Sequence, residues 1–418
     1  MKILITGFPY VRKNILEVFD FYPHTHTSES LKTGPQSGNR SMSVGASPDG
    51  DELYFLLPSK WPIKGGKVVY RTPEKKNVFG ARTWFYHSNY FLIGGLLKGL
   101  TPFFPFWLWR LGFKKKIDIV FACSEPPLLS TTWQLIWTKL YGAKFFCLTW
   151  ENIHYREKLF GLRGRIKLFI LKFSLLFSDG VICGNQKARK IIDSFIPGRL
   201  HPLIPASGVN GHFFKKLNIP KKFRGQNLEG KIVYSFVGSI SFRKGIHLII
   251  KAFNNLAKEI PNAVLYIVGT GEDDYEKEIN GLINGSQFRE RIYRFPWIDH
   301  EEMRELLSVT DVFVYPSLPH KGWEDQLGYA TMEASLMELP VITTRSGSMD
   351  EVVKDGETGF LVGPPYDVQG VYDPMLKLGK DKNLRERLGK AAREFMIANF
   401  SHESVAQKLW DFFHSLKK

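Results

Sequence analysis

The second half of the chain alternates between two hydrophobic patterns, and this alternation limits the possible folds more than any other feature. Runs rich in β-branched and aromatic residues, such as KIVYSFVG (231–238) and AVLYIVG (263–269), predict buried strands. Between them, residues 245–260 place apolar side chains at helical spacing and end before Pro261. Such alternation predicts parallel βαβ units in a doubly wound α/β sheet. Further strands are predicted at 291–295, 311–317 and 340–344, and further helices at 272–283, 300–309, 329–338, 383–398 and 402–416.

The first half shows the same kind of pattern less regularly. Its polar segment 24–50 is rich in Ser, Gly, Thr and Pro, which predicts a long loop. Because 418 residues exceed the usual size of one hydrophobic core, two domains are expected, with a linker near 208–231. Strands are predicted in the first half at 2–6, 118–123, 144–149 and 180–184.

The net charge of +16 is concentrated in the first half of the chain. Residues 1–216 hold 31 Lys and Arg against 13 Asp and Glu, a net +18, and the remainder holds 26 against 28, a net −2. Basic clusters at 75–76, 114–116 and 156–172 are mixed with Trp and Phe, which predicts peripheral binding to an anionic membrane. Alternatively, the aromatic residues form core and the bases a solvated face. Nucleic acid is not the expected partner, since no recognition-helix or RNA-binding motif accompanies the bases.

The cysteines and the apolar segments indicate in which cellular compartment the protein is expected. Three scattered cysteines without a C-x-x-C pair argue against a disulfide framework and fit a reducing environment. The opening MKILITGF predicts a buried strand and not a signal peptide. The apolar segment 89–113 is interrupted by Lys98 and Arg110, so its uncharged part is too short to span a bilayer. We therefore expect a cytoplasmic protein, free or peripheral on the inner face of the cell membrane.

Polar residues follow several predicted strands of the second half, where open α/β sheets bind ligands. In VGSISFRKG (237–245), Arg243 and Lys244 stand before a predicted helix, a combination suited to a diphosphate. A solvated basic loop would have the same composition. The glycine turn in 267–276 and the loop in 294–303 also fit ordinary connections between a strand and a helix.

The stretch GWEDQLGYATMEASLMELPVITT places two carboxylates eight positions apart, at Asp325 and Glu333. Between them, Gly328 lets the backbone approach a ligand, and the amides that follow open a helix N-terminus that favours phosphate. One carboxylate could then meet sugar hydroxyls while the other accepts hydrogen bonds from a ribose diol.

Taken in order, the motifs of residues 140–410 resemble those of glycosyltransferase family 4 (group 1), a large group of retaining, nucleotide-sugar-dependent enzymes. The matching pieces are SDGVICGNQKA, GVNGHFF, VGSISFRKGIHLIIKAF, LYIVGTGE, RFPWIDHEEM, DVFVYPS, EDQLGYATMEASLMELPVITTRSGSMDEVV, DGETGFLV and AAREFMIANFSHESVAQKL. The resemblance implies the GT-B fold, an α/β architecture in which two Rossmann-like doubly wound parallel-sheet domains face each other across a cleft. It implies an acceptor-binding domain at 1–210, a donor-binding domain at 211–395, and a C-terminal helix at 396–418 that crosses back to the first domain.

The resemblance also implies roles for particular residues. Lys244 and Arg243 would stabilise the diphosphate leaving group, and Asp325 would position the sugar. The donor-binding positions would be Glu333, Gly328, Tyr329, Gly238, Ser239, Gly269, Trp297 and Glu324. The acceptor or cleft positions would be Gly7, Glu151, Asn152 and His154.

The sequence departs from the family pattern at three places. The family signature is Glu, seven residues, Glu, whereas this chain has the shorter Asp325 at the first position. Ser239 stands where the family often has Arg. Trp150-Glu151-Asn152 stands where many relatives place a His, and His154 follows it. A lone His in a loop is also typical of a purely structural role.

No metal and no cofactor are expected. Asp49-Gly50-Asp51 matches the D-x-D metal motif of another glycosyltransferase fold, but its polar, glycine-rich surroundings predict a turn. The cation pair and the helix amides would neutralise the leaving diphosphate instead of a metal. The predicted activity is transfer of a sugar from a nucleotide-sugar to a glycan or lipid-linked acceptor. The alternatives are a non-catalytic partner of a true transferase at the membrane, and a nucleotide-sugar epimerase or hydrolase.

Overall fold

A computed structural model describes residues 1–7, 16–21, 52–62, 69–86, 90–113, 116–205 and 207–417. The chain divides into two compact units. Unit 1 comprises Met1–Gly208 and His402–Lys418, and unit 2 comprises Val209–Ser401. The predicted loop at 24–50 and the predicted turn at Asp49-Gly50-Asp51 lie outside the described residues.

The described elements alternate between strand and helix over most of the chain. The strands are β1 (Lys2–Thr6), β2 (Glu52–Pro58), β3 (Lys60–Pro62), β4 (Val69–Arg71), β5 (Val78–Ala81), β6 (Ile119–Ala122), β7 (Lys144–Thr149), β8 (Gly180–Cys183), β9 (Lys222–Phe223), β10 (Gln226–Asn227), β11 (Ile232–Val237), β12 (Ala263–Val268), β13 (Ile292–Phe295), β14 (Val312–Tyr315), β15 (Val341–Thr344) and β16 (Gly359–Val362). The α-helices are α1 (Phe104–Gly112), α2 (Leu129–Tyr141), α3 (Tyr155–Lys158), α4 (Gly161–Phe177), α5 (Gln186–Asp193), α6 (Ile246–Glu259), α7 (Asp273–Asn284), α8 (His300–Val309), α9 (Tyr329–Leu336), α10 (Met349–Val352), α11 (Val368–Lys380), α12 (Lys382–Phe400) and α13 (His402–Ser415).

Unit 1 is built on a six-stranded parallel sheet in the order β5-β2-β1-β6-β7-β8. Side chains of its strands point alternately to two faces, so Leu4 and Ile5 belong to different cores. Helices α1, α2 and α4 cover the face that carries Leu4. Helix α13 covers the face that carries Ile5, through residues such as Phe413. The sheet is therefore buried on both faces, as parallel sheets require.

Unit 2 repeats this plan with the strand order β13-β12-β11-β14-β15-β16, again all parallel. One continuous core joins the sheet to helices on both of its faces. The two sheets confirm the predicted α/β fold with two Rossmann-like, doubly wound domains. Among the described residues, none of the helices combines the length and the apolar character that a bilayer crossing requires.

Candidate functional site

The strand order of unit 2 reverses between β11 and β14, which are hydrogen-bonded neighbours at the centre of the sheet. The chain leaves β11 toward α6 and leaves β14 toward α9. The crevice outside the carboxyl ends of two such strands is the usual ligand site of a doubly wound sheet. Arg243, Lys244 and Asp325, which the sequence predicted as catalytic residues, all lie on these two loops.

Gly245 allows the loop after β11 to pack closely against the loop after β14. Gly245 has φ +64°, and a Cβ built on it would lie 2.3 Å from the carbonyl oxygen of Pro316. The backbone N–H of Leu318 donates to the carbonyl oxygen of Arg243 at 2.7 Å. Helix α6 begins one residue after this glycine, and Arg243 and Lys244 form a short 3-10 turn before it. The two cations are therefore held by backbone contacts on both sides.

Lys244 and Asp325 form a buried ion pair at the centre of the site. The Lys244 Nζ lies 2.7 and 2.6 Å from the two carboxylate oxygens of Asp325, and the side chains are 7% and 8% exposed. Lys244 Nζ also donates to the hydroxyl of Tyr315, and the Ser317 hydroxyl donates to Asp325. The sequence did not predict Tyr315 or Ser317 as site residues. Their only sequence signal is that they end β14 and begin its loop, next to the crevice.

A third loop, after β15, fixes the backbone of Asp325. Gly347 has φ +62°, and a Cβ built on it would lie 1.9 Å from the carbonyl oxygen of Asp325. The N–H of Ser348 donates to that oxygen at 3.1 Å. Only glycine fits so close to the Asp325 backbone, so the loops after three neighbouring strands, β11, β14 and β15, define where Asp325 lies.

Arg243 lies at the rim of the pair. Its Nη1 is 3.9 Å from Asp325 Oδ1, and its side chain is one-third exposed. Its guanidinium carbon lies 3.7 Å from the centre of the Trp323 ring, a cation–π contact that fixes the guanidinium plane. Trp323 is a further site residue that the sequence did not predict. Two cations of different exposure therefore stand side by side, as binding of a polyanion requires.

Burial changes the pKa of Lys244. Removal from water lowers the pKa of Lys244 to about 8, although the Asp325 carboxylate opposes this change. Burial likewise raises the pKa of the Tyr315 hydroxyl well above its ordinary value. A lysine in this position keeps its charge through its counter-ion. A diphosphate could serve as that counter-ion equally well.

Glu333 differs from Asp325, because no cation pairs with it among the described residues. It lies on α9, in the second turn, and is half-buried. Within the described part of the chain, no group forms a hydrogen bond or ion pair with its carboxylate. Burial raises its pKa to about 8. The Glu333 carboxyl group can therefore accept hydrogen bonds from a ligand.

The remaining predicted donor positions occupy loops at the same edge of the sheet. Gly328 has φ +60° and is the N-cap of α9, and Tyr329, the first residue of α9, is 40% exposed. Gly269 has φ +142°, and a Cβ on it would lie 1.7 Å from the carbonyl oxygen of Gly238. This close approach explains the glycine turn after β12 in structural terms. The other donor positions are Ser239 after β11, Trp297 after β13, and Glu324, the half-buried neighbour of Asp325.

The four predicted acceptor or cleft residues lie in unit 1, also after strands. Gly7 follows β1, and a Cβ on it would lie 2.5 Å from the carbonyl oxygen of Cys123. Glu151 follows β7, forms an ion pair with Lys158 at 2.6 Å, and accepts the backbone N–H groups of Asn152 and Ile153. The carboxylate of Glu151 therefore braces its own loop.

His154 ends this loop and begins α3. Its Nδ1 accepts the backbone N–H of Arg156, and its Nε2 lies 3.0 Å from the Ser194 hydroxyl. Its ring stacks on Phe195 with centroids 5.3 Å apart. Both ring nitrogens thus have partners within unit 1.

A half-buried carboxylate that the sequence did not predict lies beneath the same loop. Glu125 accepts the hydroxyls of Thr149 and Tyr155 at 2.7 and 2.9 Å, and the backbone N–H of Trp150 at 3.1 Å. Burial raises its pKa, which these hydrogen bonds partly counter. Glu125 follows β6 and joins the loop after β6 to the loop after β7.

Residues 218–395, which include the whole Lys244–Asp325 cluster, match the family model described as "Glycosyl transferases group 1". Curated relatives include spore coat protein SA of Bacillus subtilis, 27% identical over 44% of this chain and 48% of the relative. The capsular polysaccharide biosynthesis glycosyltransferase CapM of Staphylococcus aureus is 28% identical over 46% of this chain and 48% of its own. The chain thus spans about half the length of these two relatives. An uncharacterized glycosyltransferase of Methanocaldococcus jannaschii is 26% identical over 97% of this chain and 100% of its own.

Solved structures resemble the chain over its full length. The Anabaena protein HepE in complex with UDP has a TM-score of 0.68 and 17% identity, covering 99% of this chain and 100% of its own. A sucrose-phosphate synthase from Thermosynechococcus elongatus has a TM-score of 0.65 and 18% identity, covering 100% and 99%. At this identity the likeness shows a common fold. The region that holds the buried ion pair is therefore the region in which this chain is similar to the group 1 glycosyl transferases.

Proposed function

We propose that the protein is a glycosyltransferase that moves a sugar from a nucleotide-sugar donor to a hydroxyl of a glycan or lipid-linked acceptor. The observation that carries this proposal is the buried Lys244–Asp325 pair, with Arg243 at its rim, at the switch point of unit 2. The pair lies in the region that matches the group 1 family model. We further propose, from the resemblance to family 4, that the anomeric configuration is retained.

Lys244 and Arg243 would bind the diphosphate of the donor. In the reaction, the bond between the anomeric carbon and the diphosphate oxygen breaks, the acceptor oxygen bonds to the same face of that carbon, and the proton of the acceptor hydroxyl passes to the leaving diphosphate. Negative charge develops on the leaving diphosphate, and two cations fixed by backbone contacts stabilise it without reorganisation. Because the cations supply this charge, no metal is required in the proposal.

Asp325 would change partners when the donor binds. In the structure both of its oxygens bond to Lys244, and the Ser317 hydroxyl bonds to one of them. A carboxylate has about four sites for accepting hydrogen bonds, so it can accept a sugar hydroxyl once Lys244 turns to the diphosphate. We assign it to orienting the transferred sugar.

Glu333 would hold the ribose. A vicinal diol offers two hydroxyl donors, and this carboxylate lacks a described partner. Donor binding would then favour the ionised form of Glu333 and lower its pKa from about 8. Donor binding should therefore release a proton, and this release can be measured without catalytic turnover.

Similar proteins indicate the substrates to test first. HepE was solved with UDP and with UDP-glucose. CapM is named for capsular polysaccharide biosynthesis, and LpsE of Rhizobium meliloti for the lipopolysaccharide core. We propose a UDP-sugar as the donor and a role in polysaccharide biosynthesis. The strong positive charge of residues 1–216 supports work at an anionic membrane, on its cytoplasmic face.

The test is donor consumption by the purified protein. UDP-, GDP- and ADP-sugars are offered without acceptor, with and without EDTA, and free nucleoside diphosphate is followed. We expect slow release from one donor, unchanged by EDTA, and its loss in Lys244→Ala but not in Lys251→Ala, an exposed lysine of α6. Silence with every donor, together with no thermal shift from any nucleotide, would favour the non-catalytic partner. A donor converted to an isomer would favour the epimerase.

A further inference from the structure

Three neighbouring helices of unit 1 share an unusual charge pattern. Helix α2 packs between α1 and α4, and all three contribute to the same core beneath them. Together they contain no Asp or Glu. Their charged residues are all basic: Arg110, Lys139, Arg163, Arg165, Lys167 and Lys172.

Helix α4 is apolar on both of its faces. Its inner face buries Leu171 and Leu175 against the sheet. Its outer face exposes Leu162 and Phe169, which are 74% and 71% accessible, and continues at helical spacing through Ile166 to Leu176. A helix on the surface of a soluble domain normally has a polar outer face. The outer stripe of α4 is therefore suited to contact with another apolar phase.

Helices α1 and α2 extend this stripe. Helix α1 buries Leu108, while Phe106 and Trp109 on its outer side are 51% and 60% exposed. Phe113, at the C-terminal end of α1, is 73% exposed, and Leu140 on α2 is 72% exposed. Large apolar side chains are thus exposed on all three helices, between basic residues. Exposed apolar patches of this kind mark interaction sites.

The charge decides which partner fits. A symmetric contact between two copies of the chain would place the same basic face on both sides, with no acid on the three helices to pair with it. An anionic bilayer offers phosphates for the bases and acyl chains for the Phe, Leu and Trp side chains. Each part of this surface then meets a complementary group.

We propose that the outer face of α1, α2 and α4 is a docking surface that lies flat on an anionic lipid bilayer. Phe169, Leu162 and Trp109 enter the boundary between headgroups and acyl chains, and the flanking arginines and lysines contact lipid phosphates. This surface extends the membrane location given under the proposed function, and it does not involve the residues of the transfer reaction.

The test is flotation of the full chain with lipid vesicles. Vesicles of phosphatidylcholine with about one third phosphatidylglycerol are compared with vesicles of phosphatidylcholine alone. We expect wild-type protein to float only with the anionic vesicles. Leu162→Ser with Phe169→Ser should weaken binding about tenfold or more. Its matched control is Ile397→Ser, an exposed apolar residue of unit 2, which should bind as wild type.

A second pair of variants tests the charges. Arg165→Glu with Lys172→Glu should weaken binding about 30-fold or more, since each base near an anionic surface contributes roughly 1 kcal/mol. Lys258→Glu with Lys390→Glu changes the net charge equally at exposed sites of unit 2 and should have a small effect. An equal loss in both variants would overturn the surface and leave only a net-charge effect.

Two other outcomes would also overturn the proposal. Equal flotation with neutral vesicles would exclude the role of the bases. A dimer that dissociates in Leu162→Ser with Phe169→Ser, with unchanged flotation, would make the face a contact between copies of the chain. All variants should keep wild-type thermal unfolding and donor consumption. Wild-type protein that consumes donor but does not float with anionic vesicles would thus count against the surface alone, and wild-type protein that floats but consumes no donor would count against the transferase alone.

Discussion

A carboxylate lies at the carboxyl edge of each sheet, buried at Asp325 and half-buried at Glu125, but the two carboxylates face different partners. In unit 2, Asp325 faces the ammonium group of Lys244. In unit 1, Glu125 accepts hydrogen bonds from two hydroxyls and a backbone N–H, all of them neutral donors, and Lys98 lies near enough for the Glu125 charge to act on its pKa. Neutral donors fix the loop and leave no charge for a ligand to balance. A buried ammonium demands an anion, and an incoming diphosphate can take the place of the carboxylate.

The two edges also share one device. Gly7 in unit 1 and Gly347 in unit 2 both have positive φ and both lie so close to a neighbouring backbone oxygen that a Cβ would overlap it. Each glycine lets a loop approach the next one at the carboxyl end of the sheet. Both sheets therefore build rigid edges, and the edge of unit 2 adds a buried ammonium whose charge a ligand can balance.

The largest expected effect is that of Lys244→Ala. It leaves Asp325 buried without its counter-ion, so we expect a loss of about 3–5 kcal/mol in the free energy of unfolding. Donor consumption should fall about 10²–10³-fold, because the leaving diphosphate loses a fixed cation. Urea unfolding and product release measure the two effects. A loss below about 1 kcal/mol would show that the pair is not a buried charge balance.

Gly347→Ala should have the next largest effect. A Cβ there would lie 1.9 Å from the carbonyl oxygen of Asp325, so the loop must move as well as adopt φ +62°. We expect about 2–4 kcal/mol of destabilisation. Gly356→Ala is the matched control, since it has φ +74° but open space around it, and it should cost about 1 kcal/mol. Equal thermal shifts in the two variants would refute the role of close approach.

Glu125→Gln should cost less than Lys244→Ala. The amide oxygen keeps one acceptor, while the amide nitrogen meets hydroxyl or N–H donors, so we expect a loss of about 1–2 kcal/mol. Hydrogen exchange should increase at Trp150 and Glu151, the backbone positions nearest to the lost acceptor. A loss as large as that of Lys244→Ala would remove the distinction between the two edges.

Glu333→Gln should change the pH dependence of stability more than stability at neutral pH. The folded pKa of about 8 lies above the ordinary value of 4.5, so the folded state binds the proton more tightly than the unfolded state. The stability of the wild type should therefore fall as pH rises from about 4.5 to about 8, and the variant should lack this contribution. Urea unfolding over this pH range compares the two proteins. Parallel pH profiles would contradict the raised pKa.

Local sequence patterns predicted those strands and helices whose own residues show a clear apolar run or helical period. Strand β7 occupies the predicted residues 144–149, and helix α8 the predicted residues 300–309, because an apolar run or a helical period is enough to specify each. Strands β2 and β5 were not predicted, since they follow a long polar segment and β5 is short and contains a glycine. Strand β2 takes its place by pairing with β1, and β5 by pairing with β2, which a local pattern does not encode.

The site was predictable in part for the same reason. Order and spacing of motifs placed Lys244 and Asp325 at strand ends, and the fold brought them to 2.6 Å. The partners Tyr315 and Trp323 depend on how two loops meet in space, so sequence spacing did not indicate them. The predicted roles of Asp325, Glu333 and the unit 1 residues Glu151 and His154 remain predictions.

The binding of a nucleotide by unit 2 is tested most directly by measuring how many protons are released when the nucleotide binds. Calorimetric titration with UDP, and then GDP and ADP, near neutral pH in buffers of different ionisation enthalpy measures it. We expect one nucleotide to bind the wild type with release of about one proton more than in Glu333→Gln, because the ribose diol favours the ionised carboxylate. Equal proton release in the two proteins, or no binding of any nucleotide, would contradict it.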